Sequence, residues 1–128
     1  MLVGIPKEIK IHEYRVGVPP AGVRELVDNG HQVIVQKYAA EEIGMHDEAY
    51  EKAGAEMVET PEEIFERAEM VVKVKEPQAH EFAMLRDGQV LFTYLHLAPD
   101  PEQTTALVKS GCIAIAYETV TDAQGGLP

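Results

Sequence analysis

The sequence predicts an α/β fold: a Rossmann-like parallel sheet with helices on both faces. Three observations carry the prediction. Short apolar runs rich in Val and Ile recur six times along the 128 residues. Segments between them have helical patterning, opened by Pro, Asp or Thr and closed by Gly. Strand and helix therefore alternate, and short strands joined by helical crossovers form a parallel sheet covered on both sides. Right-handed crossovers make that sheet doubly wound.

Met1 to Ile5 is the first strand, ended by Pro6. Lys7 to Val18 is polar and without period, so it reads as a loop with Arg15 inside it. Pro20 suits a first helical turn, where no backbone donor is required, and Val23, Leu26 and Val27 form the apolar stripe of a helix closed at Asn29-Gly30. His31 to Gln36 is the second strand. Tyr38 to His46 is irregular. Asp47 is expected to cap a short helix through Lys52, ended by Gly54. Ala55 to Val58 is a weak third strand. Thr60-Pro61-Glu62-Glu63 predicts a helix running through Ala68, with Thr60 as cap and Glu63 reaching back in a capping box.

Met70 to Lys75 is the fourth strand, stopped at Glu76-Pro77. Gln78 to Leu85 is expected to be helical. Val90 to Leu95 is the fifth strand. Asp100-Pro101 starts a helix that ends at Gly111, and Cys112 to Tyr117 is the sixth strand. Thr119 to Pro128 reads as a loop. The sixth strand is left with an edge or face that needs a cover, and Gly125-Gly126-Leu127-Pro128 reads as pointing onward into further structure. The expectation is one domain over 1–128, incomplete and lacking a nucleotide-binding domain.

Composition narrows the function classes. The formal net charge is −11, and half of the 22 acidic residues lie between Glu41 and Glu69. That excess argues against a nucleic-acid partner and reads as a solvated face. No run approaches the apolar length of a membrane span, and no signal-peptide pattern opens the chain. The single Cys112 has no internal disulfide partner, so a cytoplasmic setting is expected. The five histidines make no metal-site spacing.

In open parallel sheets, ligands bind outside the carboxyl ends of the strands. The residues just past those ends are Arg15, Lys75, His96 and Glu118. Arg15 offers a planar fork matched to a carboxylate, or it is a surface arginine paired with Glu8 or Glu13. Lys75 suits a carbonyl oxygen or a carboxylate, or it is a strand-end lysine that snorkels to water. Lys73 falls on the same side by strand alternation, and periodicity does not separate the two; Lys73 reads as a lysine snorkelling to water. His96 has the ordinary pKa for proton transfer near neutrality, or it is a satisfied structural histidine. Tyr94 and Tyr117 line the site or pack as aromatic strand residues, with packing the favoured reading, and Glu118 reads as an orienting group or a solvated carboxylate. No Gly-x-Gly-x-x-Gly follows any strand; the first turn is Pro-Lys-Glu-Ile-Lys, unsuited to a pyrophosphate.

The motifs Val3-Gly4-Ile5-Pro6-Lys7-Glu8, Glu13-Tyr14-Arg15-Val16, Val72-Lys73-Val74-Lys75-Glu76-Pro77, Leu91-Phe92-Thr93-Tyr94-Leu95-His96 and Ala114-Ile115-Ala116-Tyr117-Glu118, in this order, resemble the N-terminal part of the bacterial alanine dehydrogenase family. A related pattern occurs in the alpha subunit of proton-translocating transhydrogenase, which lacks the Phe-Thr-Tyr-Leu-His run. The resemblance implies NAD-dependent interconversion of L-alanine with pyruvate and ammonia. It implies that Arg15 grips the substrate carboxylate, that Lys75 rather than Lys73 binds the carbonyl end of pyruvate, and that His96 is the acid–base group. It also implies a homo-oligomer, and an NAD site supplied by a domain outside these residues, so that this chain alone is inactive. Two departures stand out: Ala39 to Met45 keeps only Gly44 of the family's glycine-rich turn, and Pro19 replaces a hydroxyl residue. A free-standing 2-oxo acid binding module, or a structural remnant that mediates subunit contacts, are the competing readings.

Overall fold

The computed structural model describes residues 1–127. Six strands form one sheet: β1 (Leu2–Ile5), β2 (Gln32–Gln36), β3 (Glu56–Val58), β4 (Met70–Val72), β5 (Val90–Thr93) and β6 (Ile113–Ala116). Their order across the sheet is β3-β2-β1-β4-β5-β6, and every pairing is parallel. Chain direction reverses its sweep between β1 and β4. This is the topological switch point, where a crevice opens at the carboxyl ends of the strands.

Helices cover both faces, as expected. On one side, α1 (Pro20–Asp28) and α2 (Asp47–Ala53) pack Val23, Tyr50 and Ala53 against Val3, Ile5, Val33 and Val35. On the other, α3 (Pro61–Arg67) and α4 (Pro101–Ser110) pack Phe65 and Leu107 against Val71 and Leu91. Gly4 permits the α3 approach: a Cβ there would lie 2.7 Å from Ala68 Cβ. Beyond β4 no helix among the described residues lies over the first face. Ile113 and Ile115 of β6 remain 53% and 39% exposed, which is the uncovered edge that the sequence anticipates.

Several local expectations need correction. β4 ends at Val72, not Lys75, because Lys73 turns inward to an ion pair. The segment expected to be helical from Gln78 to Leu85 is helical but of the 3-10 type, Ala79–Met84, opened by the Gln78–Glu81 capping box. Asp47 is not the cap of α2: it is the first helical residue, and its carboxylate accepts from the Tyr38 N–H at 2.9 Å. Thr60 caps α3 as predicted, but Glu63 pairs with Arg67 at 2.6 Å rather than reaching back. Pro128, the last residue of the expected terminal loop, lies outside the described residues.

Candidate functional site

Three loops meet at the carboxyl edge of the sheet: 6–19 after β1, 73–78 after β4, and 94–100 after β5. The first carries Arg15, the second Lys75 and the third His96. The 6–19 loop is seated on the end of β4 by Gly17, where a Cβ would come within 2.7 Å of the Val72 carbonyl oxygen. Only a glycine lets the backbone lie that close.

Lys75 and His96 are joined through one aromatic ring. The Lys75 ammonium stands over Tyr94, 4.8 Å from the ring centroid. The Tyr94 hydroxyl lies 2.9 Å from His96 Nδ1, and the two rings stack at 5.4 Å. Tyr94 therefore has a role at the edge beyond packing. Tyr117 lies beside it, 6.3 Å between centroids, and donates its hydroxyl to the Val74 carbonyl.

His96 has a backbone φ of 45°, a left-handed conformation unusual for histidine. Glu118 holds it there: its carboxylate accepts from the N–H of Leu95 at 3.0 Å and of His96 at 2.9 Å. Burial pushes the Glu118 carboxyl up, but the N–H groups of His96, Glu118 and Leu95 together carry it below its usual value. Glu118 is thus an orienting group, the first of its two sequence readings.

Arg15 is 64% exposed, and its partner is Glu13. The contact is bidentate, Nε to Oε1 at 2.8 Å and a terminal nitrogen to Oε2 at 2.6 Å. That hydrogen-bonded Arg15 fork is the main reason the Glu13 carboxyl is lowered to about 2, and the Lys75 charge helps. Glu13 uses one edge of the guanidinium, which leaves the other edge for a second carboxylate. Arg15 is also within electrostatic reach of Tyr117. The pair therefore stands beside the Lys75–Tyr94–His96 group rather than in direct contact with it.

Beneath these groups lies a cluster that the sequence reading assigned otherwise. Lys73 does not snorkel; it is 1% exposed, and its ammonium sits between Glu8 at 3.1 Å and Glu81 at 2.9 Å. Burial pushes the Glu8 carboxyl up, opposed by Lys73 and by the Val74 N–H. Lys73 and Lys75 thus end in different surroundings, although strand alternation puts them on one side. A lysine inside an apolar run is the sequence signal for such a cluster, because a buried ammonium requires a carboxylate. The partner, Glu8, is 65 residues away and is not identified by local pattern.

The switch-point crevice does not fit a dinucleotide. Its floor at β1 and β4 is taken up by the Glu8–Lys73 pair and by the close seat of Gly17. Among the described residues no glycine-rich turn leads from a strand into a helix N-terminus, and α1 opens on Pro19-Pro20. A cavity of about 120 Å³ adjoins Glu8 and Glu13, but Arg15, Lys75 and His96 do not line it.

Fold and site together define a doubly wound α/β domain that carries Arg15, Lys75 and His96 along the carboxyl edge of its sheet. A family model described as alanine dehydrogenase/PNT, N-terminal domain, matches residues 4–128, and the chain belongs to that family. It is 52% identical over 128 residues to an alanine dehydrogenase of Halomonas elongata, covering 100% of this chain and 34% of that protein. It is 51% identical over 124 residues to an alanine dehydrogenase of Bacillus subtilis strain 168, covering 97% and 32%. A solved L-alanine dehydrogenase superposes with a TM-score of 0.96 at 47% identity, over 100% of this chain and 35% of that one. A transhydrogenase from Sinorhizobium meliloti superposes at 0.89 with 27% identity, over 97% and 35%. The chain spans about a third of the length of the curated relatives it matches.

Proposed function

We propose that residues 1–128 are the substrate-binding domain of an NAD-dependent L-alanine dehydrogenase, which interconverts L-alanine with pyruvate and ammonia. The observation that supports this best is the Lys75–Tyr94–His96 contact chain at the carboxyl edge of the sheet. It joins the two residues that the family motifs mark for carbonyl binding and proton transfer. The matched relatives are themselves named alanine dehydrogenases.

In this reading the free edge of the Arg15 guanidinium receives the substrate carboxylate, while Glu13 holds the opposite edge. The Lys75 ammonium donates to the carbonyl oxygen of pyruvate and stabilises negative charge that develops there. With Nδ1 donating to the Tyr94 oxygen, the neutral His96 keeps its lone pair on Nε2, the nitrogen that takes a proton from the substrate and returns it. NAD supplies the hydride chemistry when bound. Its site belongs outside residues 1–128, because the crevice here is filled as described. The same reading carries a cytoplasmic homo-oligomer.

Pyruvate titration of the chain, followed by calorimetry, tests the site. Arg15→Ala and Lys75→Ala are each expected to weaken binding by about tenfold or more, the scale of a lost charge-assisted hydrogen bond. Pyruvate bound no more tightly by the parent than by the two variants overturns the assignment.

A further inference from the structure

The Lys75 side chain leaves a backbone segment that has no strand partner. β4 stops at Val72, and the last ladder contact is the Lys73 N–H to the Phe92 carbonyl at 3.1 Å. Beyond it, the polar backbone groups of Val74 and Lys75 need other partners, since buried N–H and C=O groups are costly to leave unpaired. Side chains from three separate parts of the chain provide them. Glu8 Oε1 accepts from the Val74 N–H at 2.6 Å and approaches the Lys75 N–H at 3.4 Å. Tyr117 donates to the Val74 carbonyl, and Thr93 donates to the Lys75 carbonyl at 2.8 Å.

Glu8 is itself fixed. Its Oε2 takes the Lys73 ammonium at 3.1 Å, and the side chains of that pair are 2% and 0% exposed. The same ammonium takes Glu81 Oε1 at 2.9 Å, and Glu81 Oε2 accepts from the Gln78 N–H at 2.7 Å. Each carboxylate therefore grips backbone on one side of Lys75, at 74–75 and at 78, while Lys73 ties the two carboxylates together. A buried ion cluster of this kind is a poor source of net stability, because desolvation offsets most of the attraction. Its placement on either side of one half-buried lysine has a different consequence.

We infer that Glu8 is a positioning residue: pinned by Lys73 on one oxygen, it holds the backbone of Val74 and Lys75 with the other and so sets where the Lys75 ammonium stands over Tyr94. The functional consequence rests on the reading of Lys75 as a substrate-binding residue; the structural one does not. Since Glu8 and Arg15 share the loop after β1, the device also ties the placement of Lys75 to the loop that carries Arg15.

The test separates positioning from stabilisation. Lys73→Met with Glu81→Gln removes the buried ammonium and one carboxylate while keeping an acceptor for the Gln78 N–H. In that background Glu8→Gln keeps an acceptor for the Val74 N–H, and Glu8→Leu removes it at similar volume. The readouts are a cooperative melt, the NMR shift of the Lys75 ε-methylene, moved upfield by the Tyr94 ring, and pyruvate affinity. Glu8→Leu is expected to return the ε-methylene to its unstructured position and to weaken pyruvate about tenfold relative to Glu8→Gln. Two folded variants with the same Lys75 shift overturn the inference. In the unmodified chain the Val74 amide must exchange about a hundredfold or more slower than an open amide; free exchange overturns the inference without any variant. A parent chain that does not bind pyruvate defeats the substrate assignment, while the Lys75 shift still decides the role of Glu8.

Discussion

The Lys75 ammonium stands over the face of the Tyr94 ring, 4.8 Å from its centroid, and the hydroxyl of that ring reaches His96 Nδ1 at 2.9 Å. One aromatic side chain thus presents its face to one ionisable group and its polar tip to another. The two contacts are separable by mutation because they use different parts of the ring.

Tyr94→Phe keeps the face and removes the hydroxyl. Its pyruvate affinity is expected to stay within about threefold of the parent, whereas Tyr94→Ala, which also removes the face, weakens binding about fivefold, as a partly exposed cation–π contact of ~1 kcal/mol requires. Nitrogen-15 NMR of His96 is expected to change in both variants, because Nδ1 loses its hydrogen-bond partner. Equal loss of affinity in the two variants would assign the effect to the hydroxyl instead.

Lys73→Met as a single change leaves Glu8 and Glu81 buried without a counter-charge. Removing one member of a buried ion cluster destabilises by about 3–5 kcal/mol, to be read from the urea midpoint at neutral pH. Lys75→Met, at the half-buried edge, is expected to cost less than about 1 kcal/mol. A Lys73→Met chain as stable as Lys75→Met contradicts the buried cluster.

Glu13 sets an acid limit. Its folded pKa of about 2 lies below the ordinary 4.5, chiefly through the hydrogen-bonded Arg15 fork. A depressed carboxylate contributes stability fully above the unfolded value and loses it as pH falls through the folded value. Stability is therefore expected to fall from pH 4.5 towards about 2, and Glu13→Gln is expected to flatten the profile across that window while leaving its neutral side parallel. Urea midpoints taken through the window check this. A variant with an unchanged acid limb excludes Glu13 as its source.

Much of the architecture was legible before any coordinates. Val33-Ile34-Val35 and Ile113-Ala114-Ile115-Ala116 are β-branched or small apolar runs flanked by punctuation, and they became β2 and β6. Thr60-Pro61 and Asp100-Pro101 marked helix starts because a side-chain oxygen and a missing N–H act locally; both Thr60 and Asp100 cap through their side chains. Residues 70–85 were less legible. There the apolar pattern continues past the point where pairing stops, since Val74 is buried although β4 has ended at Val72. The 3-10 helix at 79–84 is built round Glu81, whose carboxylate serves a cap and a buried lysine together.

Strand and helix alternation is a property of local propensity and periodicity, so the sequence alone determined the doubly wound class and placed Arg15, Lys75 and His96 just past strand ends. Burial and long-range charge pairing are not local. Only the tertiary structure decided that Lys73 turns inward to Glu8 and Glu81, that Glu13 rather than Glu8 holds Arg15, and that Tyr94 bridges Lys75 to His96. The physical reason is that an ammonium ion takes the carboxylate nearest to it in the folded, low-dielectric interior. That neighbour, 65 residues away in the case of Glu8, is brought there by the parallel pairing of β1 with β4.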